Sequence, residues 1–286
     1  MSITNPALIA RMIRNEADMA YRRRVQTIFE WLQPTDNDVI LDGGSGRGFY
    51  LNFLRHASRA QLVGVELEFS YLQIARRGLG NNSAPMLNAN LYQLPFAQNT
   101  FDKAILSEVL EHVDDDTAAL RSVASTLKPG GLIAITVPNA NYPFWWDPIN
   151  RTLETLFHVR IRRGVFSGIW ANHVRLYTPE ALRDAVVASG LEVADERAFT
   201  HDSFPFIHNI VYGFGKTLLE ARLLPDNVAQ AASRYDLSGA RGGALNPVNI
   251  GLGLFEWFDR NNVMNEPAGR STVNLCILAR KPALRN

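Results

Sequence analysis

Asp42, Gly44, Gly46 and Gly48 occupy alternate positions directly after the apolar run Val39-Ile40-Leu41. An acid followed by glycine at every second place marks a buried strand opening into a turn where a ligand can approach bare backbone. A nucleotide-like cofactor is therefore the first chemistry to consider. A dinucleotide site needs G-x-G-x-x-G, and counted from Gly44 the last place is Phe49. A phosphate-cradling loop ends in Lys-Ser or Lys-Thr, and neither follows here. Glu66 closes a second apolar run, Leu62-Val63-Gly64-Val65. A carboxylate at such a strand end accepts hydrogen bonds from both ribose hydroxyls. His112 follows a later strand and is the first candidate for a general base, with His173 the second. Glu108, Glu111 and His112 stand at i, i+3 and i+4, a spacing that places two carboxylates and an imidazole on one helical turn.

The elements that position these residues alternate. Apolar runs at 38–42, 61–66, 85–88, 101–107 and 132–137 read as strands. Between them lie helical patterns, one with Tyr50, Phe53 and Leu54 on its buried face, one over 71–79 and one over 116–127. Alternation of this kind predicts an α/β fold with a parallel sheet covered on both faces. Residues 5–32 read as one helix with Val25, Ile28, Phe29 and Leu32 along a stripe, ended by Pro34. Within it Arg22-Arg23-Arg24 reads as a solvated face. The segment 140–175 is rich in aromatics and arginine, and Arg160-Ile161-Arg162-Arg163 also reads as solvated. Thr178-Pro179-Glu180 starts a helix, with threonine as cap and proline at the first helical position. A strand opens near Leu191, and 271–281 forms the last one. Ile207, Ile210, Val211, Phe214 and Leu218 predict an apolar helical stripe inside a second insertion at 200–270.

The chain has 286 residues, 47% apolar and 20% charged, with net charge +1. This composition suits a globular protein with a full core and gives no argument for long nucleic acid as partner. The single cysteine, Cys276, excludes an internal disulfide framework and a cysteine-rich metal site. A soluble cytoplasmic protein is expected, with neither a signal peptide nor a membrane-spanning run.

Several motifs occur in order: Asp42-x-Gly44-x-Gly46-x-Gly48, Gly64-Val65-Glu66, Leu94-Pro95-Phe96, Phe101-Asp102, Ser107-Glu108-Val109-Leu110-Glu111-His112-Val113 and Leu127-Lys128-Pro129-Gly130-Gly131. On these the chain resembles the class I S-adenosylmethionine-dependent methyltransferases, nearest the branch with the E-V-L-E-H motif and similar to ubiquinone-pathway-type enzymes. The resemblance is close over 38–139. It implies a Rossmann-like seven-stranded sheet, mostly parallel with an antiparallel last strand, helices on both faces and an inserted cap. It divides the chain into an N-terminal helical segment, 1–34, and a methyltransferase domain, 35–281, with cap insertions at about 140–175 and 200–270. It implies S-adenosyl-L-methionine as cofactor. Asp42 would orient water or the amino end of the methionine moiety, Gly44 and Gly46 would pass under the cofactor, and Glu66 would hold the ribose. Leu67 would flank the adenine, Asn90 would accept from its amino group where an aspartate is usual, and Leu91 would complete its recognition. Ser107 would line the same site.

Catalysis would fall to His112 and His173. Related enzymes with a similar Glu-x-x-Glu-His set hold a magnesium ion, and Glu108, Glu111, His112 and His173 are the residues that fit such a role. The same letters occur widely without metal, so no resident metal is expected. The cap aromatics predict a small hydrophobic or lipid-linked acceptor, methylated at oxygen, with peripheral membrane contact as an open possibility. The competing classes are a nicotinamide-dependent oxidoreductase, a non-catalytic binding module and an RNA methyltransferase.

Overall fold

The structure is a computed structural model that describes residues 6–80, 84–211, 235 and 247–283. Phe214 and Leu218 lie outside these residues. The first element is not one helix but two, α1 (Pro6–Met12) and α2 (Met19–Leu32). Asp18 causes the break, because its side chain accepts a hydrogen bond from Tyr21 N and so starts a new helix. The chain then runs β1 (Val39–Gly43), α3 (Phe49–Ala57), β2 (Gln61–Glu66), α4 (Phe69–Leu79), β3 (Met86–Asn88) and β4 (Phe101–Ser107). After a 3-10 turn at Leu110–His112 come α5 (Asp116–Thr126) and β5 (Leu127–Pro138). The cap adds α6 (Pro148–Phe157) and a 3-10 turn at Gly168–Trp170. The remaining described elements are α7 (Pro179–Ala188), β6 (Glu192–Phe199), α8 (Pro247–Asp259) and β7 (Asn274–Arg280).

The seven strands form one sheet in the order β3-β2-β1-β4-β5-β7-β6. All pairs are parallel except those of β7, which runs antiparallel to both β5 and β6. The chain leaves β1 toward β2 and β3, then crosses back to β4 on the other side. The carboxyl ends of β1 and β4 thus flank the switch point where ligands bind in open α/β sheets.

Each sheet face carries its own apolar layer. On one, Val25, Ile28 and Phe29 of α2 and Phe53 and Leu54 of α3 pack over Ile40, Ile105 and Ala134. On the other, Leu120 and Val123 of α5 and Leu182 and Val186 of α7 pack over Leu41, Ala104 and Ile133. A third cluster fills the cap with Tyr142, Trp146, Ile169 and Trp170. The cap aromatics therefore divide, since Phe144, Trp145, Phe157 and Phe166 stay exposed.

The arginine block is not a solvated face. Arg23 and Arg24 are buried, Arg23 paired with Asp259 and Arg24 with Asp18 and Glu108. Among the described residues no helix is long and apolar enough to cross a membrane.

Asp147 fixes the cap. It is fully buried and caps α6 by accepting from Asn150 N at 3.1 Å. It also accepts from Asn150 Nδ2 at 2.8 Å and Ile169 N at 3.0 Å, which ties α6 to the Gly168–Trp170 turn. Hydrogen bonds to a charged group contribute about 1.5–3 kcal/mol each. Asp147→Ala is expected to lower the unfolding free energy by about 3 kcal/mol or more, read by urea denaturation, and to open 140–175 to proteolysis. Asp147→Asn, which keeps one acceptor oxygen, is expected to lose less.

Candidate functional site

The glycine loop is a tight turn anchored to β2, with Ser45 N donating to Val65 O and Gly48 N to Ser45 O, both at 2.8 Å. Gly44 and Gly46 have φ of +69° and +53°, the left-handed region that favours glycine. At Gly44 an added Cβ would lie 2.6 Å from a Val109 methyl, so only glycine allows that approach. At Gly46 an added Cβ would meet nothing within 4 Å, so the backbone there faces open space.

Glu66 is buried at the end of β2. Its Oε2 accepts from Gly46 N and its Oε1 from Glu68 N, both at 2.8 Å. The carboxylate thus fastens the loop, and each oxygen keeps a second lone pair for a ribose hydroxyl. Asn88, which the sequence did not single out, donates from Nδ2 to Glu66 O at 2.9 Å and Leu67 O at 2.6 Å, holding the turn that presents Leu67. Leu67 is 61% exposed. Asn90 is exposed, and its Oδ1 accepts from Tyr92 N at 3.0 Å. Leu91 is buried against Gly43. Ser107 Oγ is bonded to Tyr50 OH at 3.0 Å and Thr136 Oγ1 at 2.8 Å.

Asp42 is 2% exposed, and among the described residues its Oδ2 has no hydrogen-bond partner. Burial first, and Glu66 second, push its carboxyl up to about 7. A buried acid without a counter-charge at the carboxyl edge of the sheet fits a cationic ligand group, and the amino end of S-adenosylmethionine is one. The open backbone at Gly46 and the spare lone pairs of Glu66 fit the rest of that molecule.

Beyond β4 the backbone kinks. Glu108 has φ of +56°, and Arg24 Nη1 holds its carboxylate at 2.5 Å. Thr136 Oγ1 at 3.1 Å and Asn274 Nδ2 at 3.4 Å also donate to it. The expected α-helical turn with Glu108 and Glu111 side by side is therefore not formed, because Glu108 turns to α2 and a 3-10 turn follows. That turn brings Glu111 and His112 to His173, and ligand atoms of these three lie within 4.8 Å of one another. The two imidazole rings meet edge to face at 4.7 Å, and His173 Nε2 is 3.9 Å from Glu111 Oε1.

His173 is delivered by the cap, where His173 N donates to Trp170 O and Val174 N to Glu111 O at 2.8 Å. His112 Nδ1 bonds the Asn172 carbonyl at 3.1 Å. A carbonyl only accepts, so Nδ1 carries the proton and Nε2 holds the free lone pair of a base. Burial first, then His112, press His173 down to about 3, which keeps it neutral. Glu111 is fully buried with neither oxygen bonded among the described residues, and burial, then Glu108, raise its carboxyl well above the usual range.

Residues 41–135 match the family described as Methyltransferase domain. Within those residues the chain carries a methyltransferase domain. An O-methyltransferase of Aspergillus nomiae is 31% identical over 122 residues, covering 41% of this chain and 54% of the relative. A demethylmenaquinone methyltransferase of Corynebacterium kroppenstedtii is 32% identical over 104 residues, 36% of this chain and 43% of the relative. The chain thus spans about half the length of these curated relatives. A crystal structure described as a putative methyltransferase from Bacillus halodurans has the same fold, with TM-score 0.55 at 15% identity over 90% of this chain and 98% of that one.

Asp42 predicts a pH dependence of cofactor binding. A cofactor ammonium bound beside it would favour the ionised carboxylate, while the ligand-free protein protonates it below about 7. Affinity for adenosylhomocysteine is then full above that pH and falls below it, by up to about tenfold per pH unit. Calorimetric titration on either side of pH 7 reads this slope. In Asp42→Asn the slope is expected to vanish and affinity to drop at least about tenfold.

Proposed function

We propose that the protein transfers a methyl group from S-adenosylmethionine to a hydroxyl oxygen of a small hydrophobic acceptor, quinol-like or lipid-linked. The observation that carries this reading is the His112–His173 pair, which stands beside the glycine loop through Val109 and offers a free imidazole nitrogen. The two relatives, one named for O-methylation and one for a quinone acceptor, support the acceptor class. Exposed Trp145 and Phe206, joined by Phe206 N to Trp145 O at 3.0 Å, offer apolar contact to its body.

When bound, the cofactor supplies an electrophilic methyl carbon on a sulfonium. Asp42 holds its amino end, Glu66 its ribose, and Leu67, Asn90 and Leu91 its adenine. His112 Nε2 takes the proton from the acceptor hydroxyl as the oxygen becomes nucleophilic. His173, neutral and fixed by the cap, sets the edge-on orientation of His112. General-base catalysis contributes about 10²–10⁴-fold. His112→Ala is expected to lower kcat by that range while adenosylhomocysteine affinity stays unchanged. Mass spectrometry and NMR of products from a panel of catechols and hydroquinones read the transfer and the atom. No methyl transfer to any hydroxyl, or turnover with NAD instead, refutes the reading.

A second reading rests on Glu111, whose two buried oxygens have no partner beside two imidazoles. One carboxylate and two imidazoles form a donor set for a divalent first-row ion. In that reading Mn²⁺ binds with measurable heat, Glu111→Gln abolishes the heat, and chelation lowers turnover until Mn²⁺ or Mg²⁺ is restored. Full activity after exhaustive chelation sinks it.

A further inference from the structure

Residues 155–166, Thr-Leu-Phe-His-Val-Arg-Ile-Arg-Arg-Gly-Val-Phe, contain six large apolar side chains, three arginines and no acid. The whole chain balances 29 basic against 28 acidic residues, so this is a local excess of positive charge. Leu156 is 64% exposed and Phe157 63%, and Val159, Val165 and Phe166 are exposed as well. The display is built rather than loose. Asn150, fully buried in α6, accepts from Ile161 N at 2.7 Å and donates from Nδ2 to Phe166 O at 3.3 Å and Ser167 O at 3.0 Å.

Helix α6 continues the surface. Ile149, Leu153, Leu156 and Phe157 fall at i, i+4, i+7 and i+8, one stripe of the helix. Arg151, Glu154 and Thr155 lie on the opposite side and line a cleft of about 540 Å³ with Arg160 and Trp170. The apolar stripe thus faces away from that cleft. Phe144 and Trp145 at the start of the cap are exposed too. Arg160 belongs to the cleft side, paired with Glu154 at 3.2 Å and stacked over Trp170 at 4.1 Å, whereas Arg162 and Arg163 are exposed and Arg163 makes no ion pair among the described residues.

We propose that this cap surface seats on an anionic lipid bilayer. Exposed apolar groups beside arginines match acyl chains beneath negative headgroups, and each basic residue near such a surface strengthens binding roughly fivefold. A second copy meeting face to face would bring arginines onto arginines, which disfavours a symmetric dimer through this surface. Helix α8 also exposes Ile250, Leu254 and Trp257, but Glu256 and Asp259 sit on that helix and it lacks the basic excess.

Vesicle binding needs neither cofactor nor acceptor, so this inference stands apart from methyl transfer. The full chain is sedimented with vesicles of phosphatidylcholine alone or of equal parts phosphatidylcholine and phosphatidylglycerol. The protein is expected to bind the mixed vesicles, to bind the neutral ones far less, and to be released by added salt. Leu156→Ser with Phe157→Ser is expected to weaken binding more than about tenfold. Arg163→Glu is expected to weaken it several-fold and to flatten the salt dependence, with adenosylhomocysteine binding intact in both variants. Protein that stays in the supernatant with mixed vesicles overturns the proposal, as do variants that sediment like the parent. A dimer that the double serine variant converts to monomer assigns the face to a second copy and overturns it too.

Discussion

Arg24 reaches from α2 to the end of β4 and pairs with Glu108 at 2.5 Å, and the arrangement of the site follows from that contact. Both groups are largely withdrawn from water, so desolvation offsets much of their attraction. The pair is better understood as fixing one geometry than as adding net stability. It holds Glu108 at positive φ, with Thr136 and Asn274 completing the carboxylate's hydrogen bonds. The chain must then turn sharply, and the resulting 3-10 turn sends Glu111 inward and His112 to the rim. Thr136 also links through Ser107 to Tyr50, so the N-terminal helix, α3, β4, β5 and β7 meet in one polar network.

Around that network the fold keeps two acids in an unfavourable state. Asp42 and Glu111 are buried with unbonded oxygens, at positions where neighbouring carboxylates raise them further. A buried polar group without a partner costs roughly 1–3 kcal/mol, more when charged. Core positions seldom tolerate this, but ligand sites do when a cation completes them. The two acids sit in different chemical settings. Asp42 lies under the glycine loop with open backbone above it, which suits an extended organic cation. Glu111 lies against two imidazoles, which suits proton or metal chemistry.

The sheet and the cofactor half were legible in the sequence because they rest on local signals. Strand runs with period-two or continuous apolar character, the Asp42–Gly48 spacing and the acid at Glu66 all lie within a few residues of the atoms they serve. Arg23 and Arg24 were misread for the opposite reason. Their partners Asp259 and Glu108 are distant in sequence, and a run of three arginines carries no sign of them. The Glu108–His112 spacing misled in a subtler way, since i, i+3 and i+4 share a face only on an α-helix, and the pull of Arg24 removes the helix. Asn88 and Asn274 were invisible because their work is side-chain hydrogen bonding to residues distant in sequence.

The cap supplies one of the two paired imidazoles. His173 comes from the segment after α6, and it meets His112 only because Val174 N bonds Glu111 O and the Trp170 turn is tied to Asp147. Asp147 lies at the base of α6, whose far end is the exposed basic and apolar tip. Ordering the tip, capping α6 and placing His173 are thus steps along one continuous piece of chain. These contacts make the cap a positioning element for the site rather than a cover laid over a finished one.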